Sequence, residues 1–509
     1  MGKISAYEKI KANIGVDGKL PHTFSLEEKH APNQIGYMPG AMDGIGVFHM
    51  GAGNEKKAVK EVVGLLKKYF KKSKDEYILK IERVLTNSRA ISIIDPVLLN
   101  IRDDKKSINP SRVFDLAQQI VKTSCNIELI KIGLGLLGLF DLDGNDEMEE
   151  LVSTLALYDD FTLFAVVAVA NWTNGNKIIF KIAQRVVGWG KIHAVERLEP
   201  ENDEMRDWLL RDGCSNGVMD AYLGLSCAVK GDMISVLKQD TLDDNMFDGI
   251  AVIIDALLDE GPVKGISEYE HAREALMLFM SHAKRHANNV EHLWRILNLQ
   301  SWAESADIDY KDDILNQCNE IIGKPDWKDK IMNTVKSRVN GFEFSCATNA
   351  ASRLDIDIST ELFALVKDEP LEYSWYMSQL LKNPNMADEI IKLCENLLPL
   401  DEMADGMGDY LFPDTLNKEY QCLDFILPEL AVYPMQGIKL IKAGLNSRVV
   451  RGRNMACRAL SGWVKTQNKP LAEISPELFS EIMRIHEIEV NEQTKETMKK
   501  LIDGGFEEL

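Results

Sequence analysis

The apolar residues of this chain recur with the spacing of helices that bury one face. In the segment 113–121 they fall at i, i+3, i+4 and i+7, and the same stripe returns in the segment 179–187. Between the two, the segment 148–155 carries the stripe again, so the interval divides into steps of 35 and 31. Helical units with a period in the thirties are typical of stacked repeat proteins. The pattern therefore predicts an all-α fold, built as an α-solenoid of helical hairpin repeats.

A second repetition lies in the C-terminal half of the chain. The segment 358–363 (ISTELF) returns as the segment 474–479 (ISPELF). Ser359 and Ser475 are both expected to be N-caps, and Pro476 suits the first turn of a helix. Repetition is thus predicted through most of the chain.

Residues 1–54 differ in composition from the rest. Glycine is frequent between Pro39 and Gly53, and no helical period is visible there. We expect an irregular, Gly-rich N-terminal arm or cap, because the terminal unit of a repeat array needs cover for its apolar face. A helical repeat array is predicted for 55–400, and C-terminal helical repeats in 401–509 follow a loop at 399–420.

Two short segments resemble the second helix of HEAT repeats, the paired-helix units of α-solenoids. Segments 191–198 (KIHAVERL) and 453–460 (RNMACRAL) both begin with a basic residue, followed by alanine three positions on and leucine seven positions on. The resemblance implies helical hairpins in which the alanine allows close stacking of neighbouring units. Together with the repeat spacing, it covers most of the chain after about residue 90.

Charge, length and cysteine usage narrow the classes of function. The chain has 509 residues and a formal net charge of −20, with acidic residues spread over its whole length. The negative electrostatic potential of such a chain repels nucleic-acid phosphate and anionic lipid, so we expect neither nucleic acid nor a membrane as a partner. The longest strongly apolar run, Phe161–Trp172, is too short to span a bilayer. The eight cysteines form no CxxC pair and the N-terminus is polar, which favours reduced thiols in a cytoplasmic protein.

Candidate chemistry is sparse. His271, His282 and His286 are the best metal candidates, because a helix would project all three on one side and imidazoles four residues apart can share Zn²⁺ or Fe²⁺. A complete site needs carboxylate or further histidine ligands from elsewhere in the chain. We favour the alternative that these histidines are polar residues lining a groove of the solenoid, and we predict no bound metal. The glycine-rich segment 44–53 lacks the G-x-G-x-x-G spacing and the preceding strand of a dinucleotide site. We predict no cofactor and identify no catalytic residue.

One further resemblance concerns the chain as a whole. It is similar to a group of bacterial proteins labelled limonene hydroxylase, and the segments 207–219 and 228–232 carry the likeness. The resemblance implies hydroxylation of a cyclic monoterpene, together with an NAD(P)-linked oxidoreductase activity. Such chemistry needs haem, flavin, non-haem iron or a nicotinamide, and no motif for any of these is recognisable in the sequence.

Two hypotheses of different classes follow. The first is a non-catalytic helical-repeat scaffold that binds a protein or peptide partner on its concave face. The alternative is a limonene (monoterpene) hydroxylase or NAD(P)-linked oxidoreductase. We favour the scaffold, because the repeats predict a binding surface, whereas no binding motif for a redox cofactor is recognisable in the sequence. The oligomeric state does not follow from the sequence.

Overall fold

The computed structural model describes residues 4–26, 37–51, 55–104, 106–261, 263–338, 341–410 and 417–504. Helices dominate these residues, and their β-structure is one isolated bridge between Tyr410 and Val449. Among the helices described, none is long and apolar enough to cross a membrane. The predicted all-α fold is confirmed.

The chain divides into two compact units. The first ends at Pro325 and the second begins at Asp326. Gly323 follows the last helix of the first unit directly, and a glycine followed closely by proline is a common helix stop signal. The predicted three-part division of the chain stays a prediction. In the predicted loop at 399–420, residues 404–409 lie outside any helix, and 411–416 lie outside the described residues.

The first unit contains the α-helices α1 to α18. In chain order they are Ala6–Ala12, Ala41–Ile45, Lys56–Lys72, Glu76–Leu85, Ile94–Asp103, Pro110–Thr123, Ile127–Leu137, Asp146–Leu155, Asp159–Val169, Gly175–Ala183, Gly188–Arg197, Asp203–Trp208, Ala221–Lys230, Met233–Leu237, Asp244–Leu258, Ala272–His286, Val290–Ser305 and Lys311–Ile322. Two π-helical turns, Gly46–Met50 and Leu209–Gly213, continue α2 and α12, and short 3₁₀ turns lie at Ala90–Ser92 and Ile266–Glu268.

Successive helices of the first unit pack as neighbouring hairpins. Helices α7, α9, α11, α13, α15 and α17 form a row in which each member contacts the next. The intervening helices pack beside this row: α6 contacts α7, α8 contacts α9, α10 contacts α11, and α16 contacts both α15 and α18. This arrangement is compatible with a helical repeat fold.

The second unit contains the helices α19 to α30. In chain order they are Trp327–Ser337, Phe342–Arg353, Ser359–Asp368, Ser374–Leu380, Pro384–Leu397, Leu400–Met403, Lys418–Ile426, Ile438–Leu445, Val450–Gln467, Leu471–Ile474, Pro476–Ile488 and Glu492–Ile502. A 3₁₀ turn at Leu427–Val432 packs closely on α27, which also contacts α25, α26, α28 and α30. Trp463 on α27 is fully buried and donates from Nε1 to the Leu430 carbonyl oxygen at 2.7 Å.

Polar contacts between successive hairpins recur at similar separations along the sequence. Several join residues that are 32 to 36 positions apart. Examples are Glu149–Lys181 and Arg211–Asp243 at 32, Asn446–Glu481 at 35, and Arg273–Asp309 and Arg453–Glu489 at 36. Other pairs, such as Asp248–His292 at 44, show that the units differ in length.

Asparagine side chains begin many of these helices. In α6, α7, α8, α12, α17, α23 and α30 an Asn oxygen accepts a hydrogen bond from a backbone N–H of the first turn. Ser475 caps α29 as predicted, because its hydroxyl accepts from the backbone of Leu478. The same prediction is wrong for Ser359, which is the first residue of α21 rather than its cap. The Asp357 carboxylate accepts the Ser359 backbone N–H instead, at 2.9 Å.

The apolar stripes that predict the fold are buried. Ala117 and Ala183 occupy equivalent positions of the repeated stripe and expose 0% and 1% of their surface. The alanines of the two HEAT-like segments, Ala194 and Ala456, are both fully buried. Each of these small residues therefore lies on the packed side of its helix.

The N-terminal segment contains more regular structure than its glycine content predicts. Ser5 and Glu8 form a capping box that starts α1, and α1 packs on α6 and α8. Residues 41–50 are also helical, first as α2 and then as a π-helical turn. The reason is tertiary, since α2 gains its contacts from α11, which lies far along the chain.

Candidate functional site

The most distinctive site of the first unit lies where the segment Gly40–Met50 crosses the row of helices. This docked segment consists of α2, its N-cap Gly40 and the π-helical turn. Beneath it lie parts of α7, α9, α11 and α13. We call this surface the docking face and define it by the residues Lys131, Asp159, Trp189, His193 and Tyr222.

A buried charge cluster holds the first half of the docked segment. Asp43 Oδ2 lies 2.7 Å from Lys131 Nζ, and Asp43 Oδ1 lies 2.9 Å from Arg89 Nη2. Lys131 Nζ also lies 2.7 Å from Glu128 Oε1 and 3.4 Å from Asp160 Oδ1. The side chains of Lys131 and Asp43 expose 0% and 2%. The acidic residue of the docked segment is therefore paired with a cation inside the protein.

The carboxylates keep Lys131 charged in spite of its burial. Burial alone lowers the pKa of a lysine, but the negative charges of Asp43, Glu128 and Asp160 outweigh it and raise the pKa of Lys131. Arg89 responds in the same way, because burial is outweighed by the charges of Asp43 and Glu128, which raise its pKa. Every buried charge in the cluster thus has a partner of opposite sign, as buried ion pairs require.

Gly44 stands where Trp189 leaves no room for a side chain. A Cβ added to Gly44 would lie 2.0 Å from Trp189 Cε3, far inside contact distance. Gly40 has a φ of 75°, in the left-handed region, and a Cβ there would lie 3.0 Å from the Asp159 carbonyl oxygen. Around the Cβ position of Gly46, by contrast, there is open space. Gly40 and Gly44 therefore allow the backbone to approach the docking face.

Phe48 anchors the second half of the docked segment among aromatic rings. Its centroid lies 4.9 Å from that of Tyr222, 6.2 Å from that of Trp189 and 6.2 Å from that of His193. The adjacent His49 Nε2 and the Tyr222 hydroxyl form a hydrogen bond of 2.5 Å. Aromatic pairs at such separations stabilise a contact beyond the apolar area that they bury.

His193 is fully buried in the docking face, with 0% exposure. Within the described residues, neither of its ring nitrogens has a hydrogen-bond partner. Burial, assisted by the positive charge of Arg197, lowers the pKa of His193 to about 3. The imidazole is therefore neutral near pH 7 and presents a flat ring to Phe48, which stacks on it at an interplanar angle of 21°.

Asp159 brings a carboxylate to the start of α11. The backbone N–H groups of Gly190 and Trp189 donate to it, and a Cβ at Gly188 would lie 2.2 Å from its Oδ2. Burial raises the pKa of Asp159 to about 7, against these two hydrogen bonds, which lower it. The side chain therefore satisfies free N–H groups of the next helix in the row while titrating near neutral pH.

His193 and Asp159 are expected to give opposite pH dependences of stability. Unfolded His193 takes up a proton below about pH 6.5, whereas the folded residue does so only near pH 3. Between these two pH values its contribution to the free energy of unfolding therefore falls as the pH drops. Folded Asp159 keeps its proton up to about pH 7, whereas the unfolded residue loses it above about pH 3.8. Between these two pH values its contribution to the free energy of unfolding therefore falls as the pH rises. Each slope is about 1.4 kcal/mol per pH unit, and the two cancel where the windows overlap.

Single variants separate the two effects in urea unfolding measured at several pH values. Relative to the wild type, His193→Phe is expected to gain stability as the pH falls from 6.5, and Asp159→Asn to gain stability as the pH rises towards 7. His22→Phe, at an exposed position, is the control. Stability curves of both variants that run parallel to the wild type would contradict the assigned pKa shifts.

The structure brings together only two of the three candidate metal ligands. His282 and His286 lie one turn apart on α16, with ring centroids 6.4 Å apart. Each already has a partner, since His282 Nε2 bonds the Leu237 carbonyl oxygen at 3.0 Å and His286 Nδ1 bonds Asp244 Oδ1 at 2.9 Å. His271 is the N-cap of the same helix, about 16 Å from His282 along the axis at 1.5 Å per residue. In the part of the chain that is described, no three His, Cys, Asp or Glu side chains are grouped as metal ligands.

A cavity of about 510 Å³ lies between α8 and α10. Three of its charged lining residues are in ion pairs, because Lys181 Nζ lies 3.0 Å from Glu149 Oε1 and Glu150 Oε1 lies 2.6 Å from Lys11 Nζ of α1. These pairs neutralise much of the lining charge. The docking face, with its buried charges and its buried histidine, is the stronger candidate site.

No protein-family model and no curated protein sequence matches this chain. The function is therefore inferred from the docking face itself.

Sequence reasoning does not find the three residues that define the docking contacts, namely Asp43, Lys131 and Phe48. A signal is available for Lys131, which is the one charged residue in the apolar stretch 129–137. A lysine is almost never fully buried unless it is paired, so a lysine within an apolar stretch predicts a buried partner. Asp43 and Phe48 lie in a glycine-rich segment, and their partners are fixed only by tertiary packing.

Proposed function

We propose that this protein is a non-catalytic helical-repeat scaffold, an α-solenoid of HEAT-like hairpins, that binds a segment of a protein or peptide partner on the docking face. The observation that carries the proposal is the docked segment itself. A short piece of chain lies across α7, α9, α11 and α13 and makes three kinds of contact: a buried ion pair, a close backbone approach and an aromatic anchor.

These contacts describe the partner that would fit. Asp43, Gly44 and Phe48 supply a carboxylate, then a glycine, then an aromatic residue four positions later. Lys131 selects for the negative charge, Trp189 excludes side chains larger than hydrogen, and Tyr222 with His193 receives the ring. A few aromatic and charged residues in well-packed pockets carry most of the binding energy at protein interfaces. A partner segment with the same pattern would compete with the docked segment for the face.

A pair of glycine variants tests the proposal. Gly44→Ala places a Cβ against Trp189 and should displace the docked segment, whereas Gly46→Ala adds the same methyl group where there is open space. A fluorescent peptide with the sequence of residues 37–51 is then titrated into both variants and the wild type, with fluorescence anisotropy as the readout. We expect Gly44→Ala to bind the peptide at least about tenfold more tightly than Gly46→Ala or the wild type, because its face is vacant.

The peptide variants D43N and F48A are the specificity controls and should each bind more weakly. Circular dichroism and the melting temperature establish that Gly44→Ala is folded. In a pull-down from a lysate of the source cells, Gly44→Ala should retain a protein that the free peptide elutes. A folded Gly44→Ala protein that binds neither the peptide nor an elutable protein would overturn the proposal.

The hydroxylase alternative rests on the whole-chain resemblance and has a separate test. Purified protein is assayed for haem, flavin and iron, and for NADPH-dependent turnover of limonene. Turnover that survives in Gly44→Ala and Gly46→Ala alike would favour the enzyme and place its site away from the docking face.

A further inference from the structure

Three sulfur atoms from three helices meet in the core of the second unit. The Cys394 thiol of α23 donates to Met377 Sδ of α22 at 3.4 Å, and the Cys422 thiol of α25 donates to the same sulfur at 3.8 Å. The two thiols also lie next to each other. All three side chains belong to residues with 0% exposure. The sulfur atoms therefore form a closed triangle that is shielded from water.

The donor set is that of a soft metal ion. Thiolate and thioether sulfur together favour monovalent copper among the common biological metals, whereas structural zinc is held by four ligands. A metal at the centre of a triangle of sulfurs, with metal–sulfur distances of about 2.3 Å, requires the sulfurs to lie about 4 Å apart. The observed separations of 3.4 and 3.8 Å approach this value, so only a small expansion is needed.

We propose that Met377, Cys394 and Cys422 form a binding site for one cuprous ion. The exchange is balanced: Cu⁺ forms a bond to one sulfur, the S–H bond of that thiol breaks, and its proton leaves to solvent. The second thiol and the thioether coordinate as neutral donors, so the buried charge does not change. This inference concerns the second unit and is independent of the partner-binding function proposed for the first.

The environment of the site favours a monovalent ion. All three sulfur-bearing side chains lie in the core with 0% exposure. A net charge in such a core is costly, whereas exchanging a single proton for a single positive charge leaves it neutral.

The first unit offers an internal comparison. The buried thiols of Cys214 and Cys227 also lie next to each other. The thiol of Cys214 additionally contacts the Asp220 carbonyl oxygen at 3.6 Å, a hard oxygen atom in the place where the other site has a thioether. Because an oxygen atom is the third group in contact with this pair of thiols, Cys227→Ser is the matched control.

The test is a competition titration of the reduced, full-length protein under anaerobic conditions. All proteins carry Cys125→Ser, which removes the exposed thiol. Cuprous ion is supplied as its complex with the chromogenic chelator bicinchoninate, and transfer to the protein is followed by the loss of colour. Incubation extends over hours, because the buried site must open locally for the ion to enter.

We expect one cuprous ion per chain in the parent protein and in Cys227→Ser. Met377→Leu conserves volume and should keep the fold, yet it should weaken copper binding at least about tenfold, since even the outer partners of metal ligands contribute that much. Cys394→Ser should abolish the uptake. Circular dichroism and the melting temperature verify that each variant is folded.

Two outcomes would overturn the inference. One is a parent protein that takes no copper from the chelator. The other is uptake that Met377→Leu and Cys394→Ser leave unchanged, or that Cys227→Ser removes, because the ion would then be bound elsewhere.

Discussion

Replacing Lys131 with methionine is expected to lower the free energy of unfolding of the first unit by about 3–5 kcal/mol. The change removes a buried cation whose Nζ lies within 3.4 Å of carboxylate oxygens of Asp43, Glu128 and Asp160. Removing one partner of a buried ion pair is strongly destabilising because the remaining charges stay in the protein interior. Urea unfolding followed by circular dichroism and tryptophan fluorescence measures the loss.

Lys181→Met is the matched control for this prediction. Lys181 also pairs with a glutamate, but its side chain is 65% exposed and that of Glu149 is 35% exposed. Solvent-exposed ion pairs contribute about 0–1 kcal/mol, so a small effect is expected. Equal losses in the two lysine variants would show that the charge cluster does not hold the docked segment in the manner described.

In the second unit, Arg453→Met is expected to cause a loss of similar size. Arg453 and Glu489 form a bidentate ion pair with N–O distances of 2.6 and 2.7 Å, and neither side chain is exposed to solvent. Arg453 also donates to the Ser447 carbonyl oxygen at 2.7 Å. The substitution leaves the Glu489 carboxylate unpaired in the core, which costs about 3–5 kcal/mol. Denaturant unfolding of the full chain is the measurement.

A double replacement distinguishes the loss of the ion pair from the cost of a buried carboxylate that has no cation beside it. Arg453→Met combined with Glu489→Leu removes both charges and refills the space with apolar atoms. Apolar replacements of buried ion pairs are often neutral or stabilising, so the double variant should recover at least half of the loss. If the double variant is less stable than Arg453→Met, the loss of stability comes from the ion pair itself and not from the unpaired Glu489 carboxylate.

Much of the helical organisation can be predicted from the sequence, because the stripes of single helices are local. Periodicity alone places Ala117 and Ala183 on a packed face, and both are buried. The N-cap at Ser475 follows from local chemistry as well. The failure at Ser359 has a physical cause, since the helix already includes Ser359, and the Asp357 carboxylate two residues before it accepts the free N–H of Ser359 in the first turn.

The candidate site cannot be predicted from helical periodicity and local capping. The docked segment has no period, and its contacts join residues that are far apart in the chain, such as His49 and Tyr222. The histidines at 271, 282 and 286 stand out in the sequence because helical spacing relates them directly. That spacing gives the direction of a side chain but not its partners, and Leu237 and Asp244 already bond the two that are adjacent.

The three donors of the copper site cannot be recognised from the sequence either. Metal-binding cysteines are usually recognised by short spacing in a motif, whereas Cys394 and Cys422 are far apart in the chain and come from different helices. Methionine is read as a core residue unless structure shows what its sulfur faces. The convergence of the three helices α22, α23 and α25 is a property of the fold.

The position of the docked segment has a consequence for biosynthesis. Its contact with Tyr222 spans 173 residues, whereas contacts between hairpins of the same unit, such as Glu149–Lys181 and Asp248–His292, span 32 and 44. A ribosome adds about 5–20 residues per second, so roughly 9 to 35 s pass between the synthesis of His49 and that of its partner. During this interval the nascent chain presents Asp43 and Phe48 before the surface that receives them exists. The segment is thus made early but docks late, and chaperones or a co-translational partner have the first access to it.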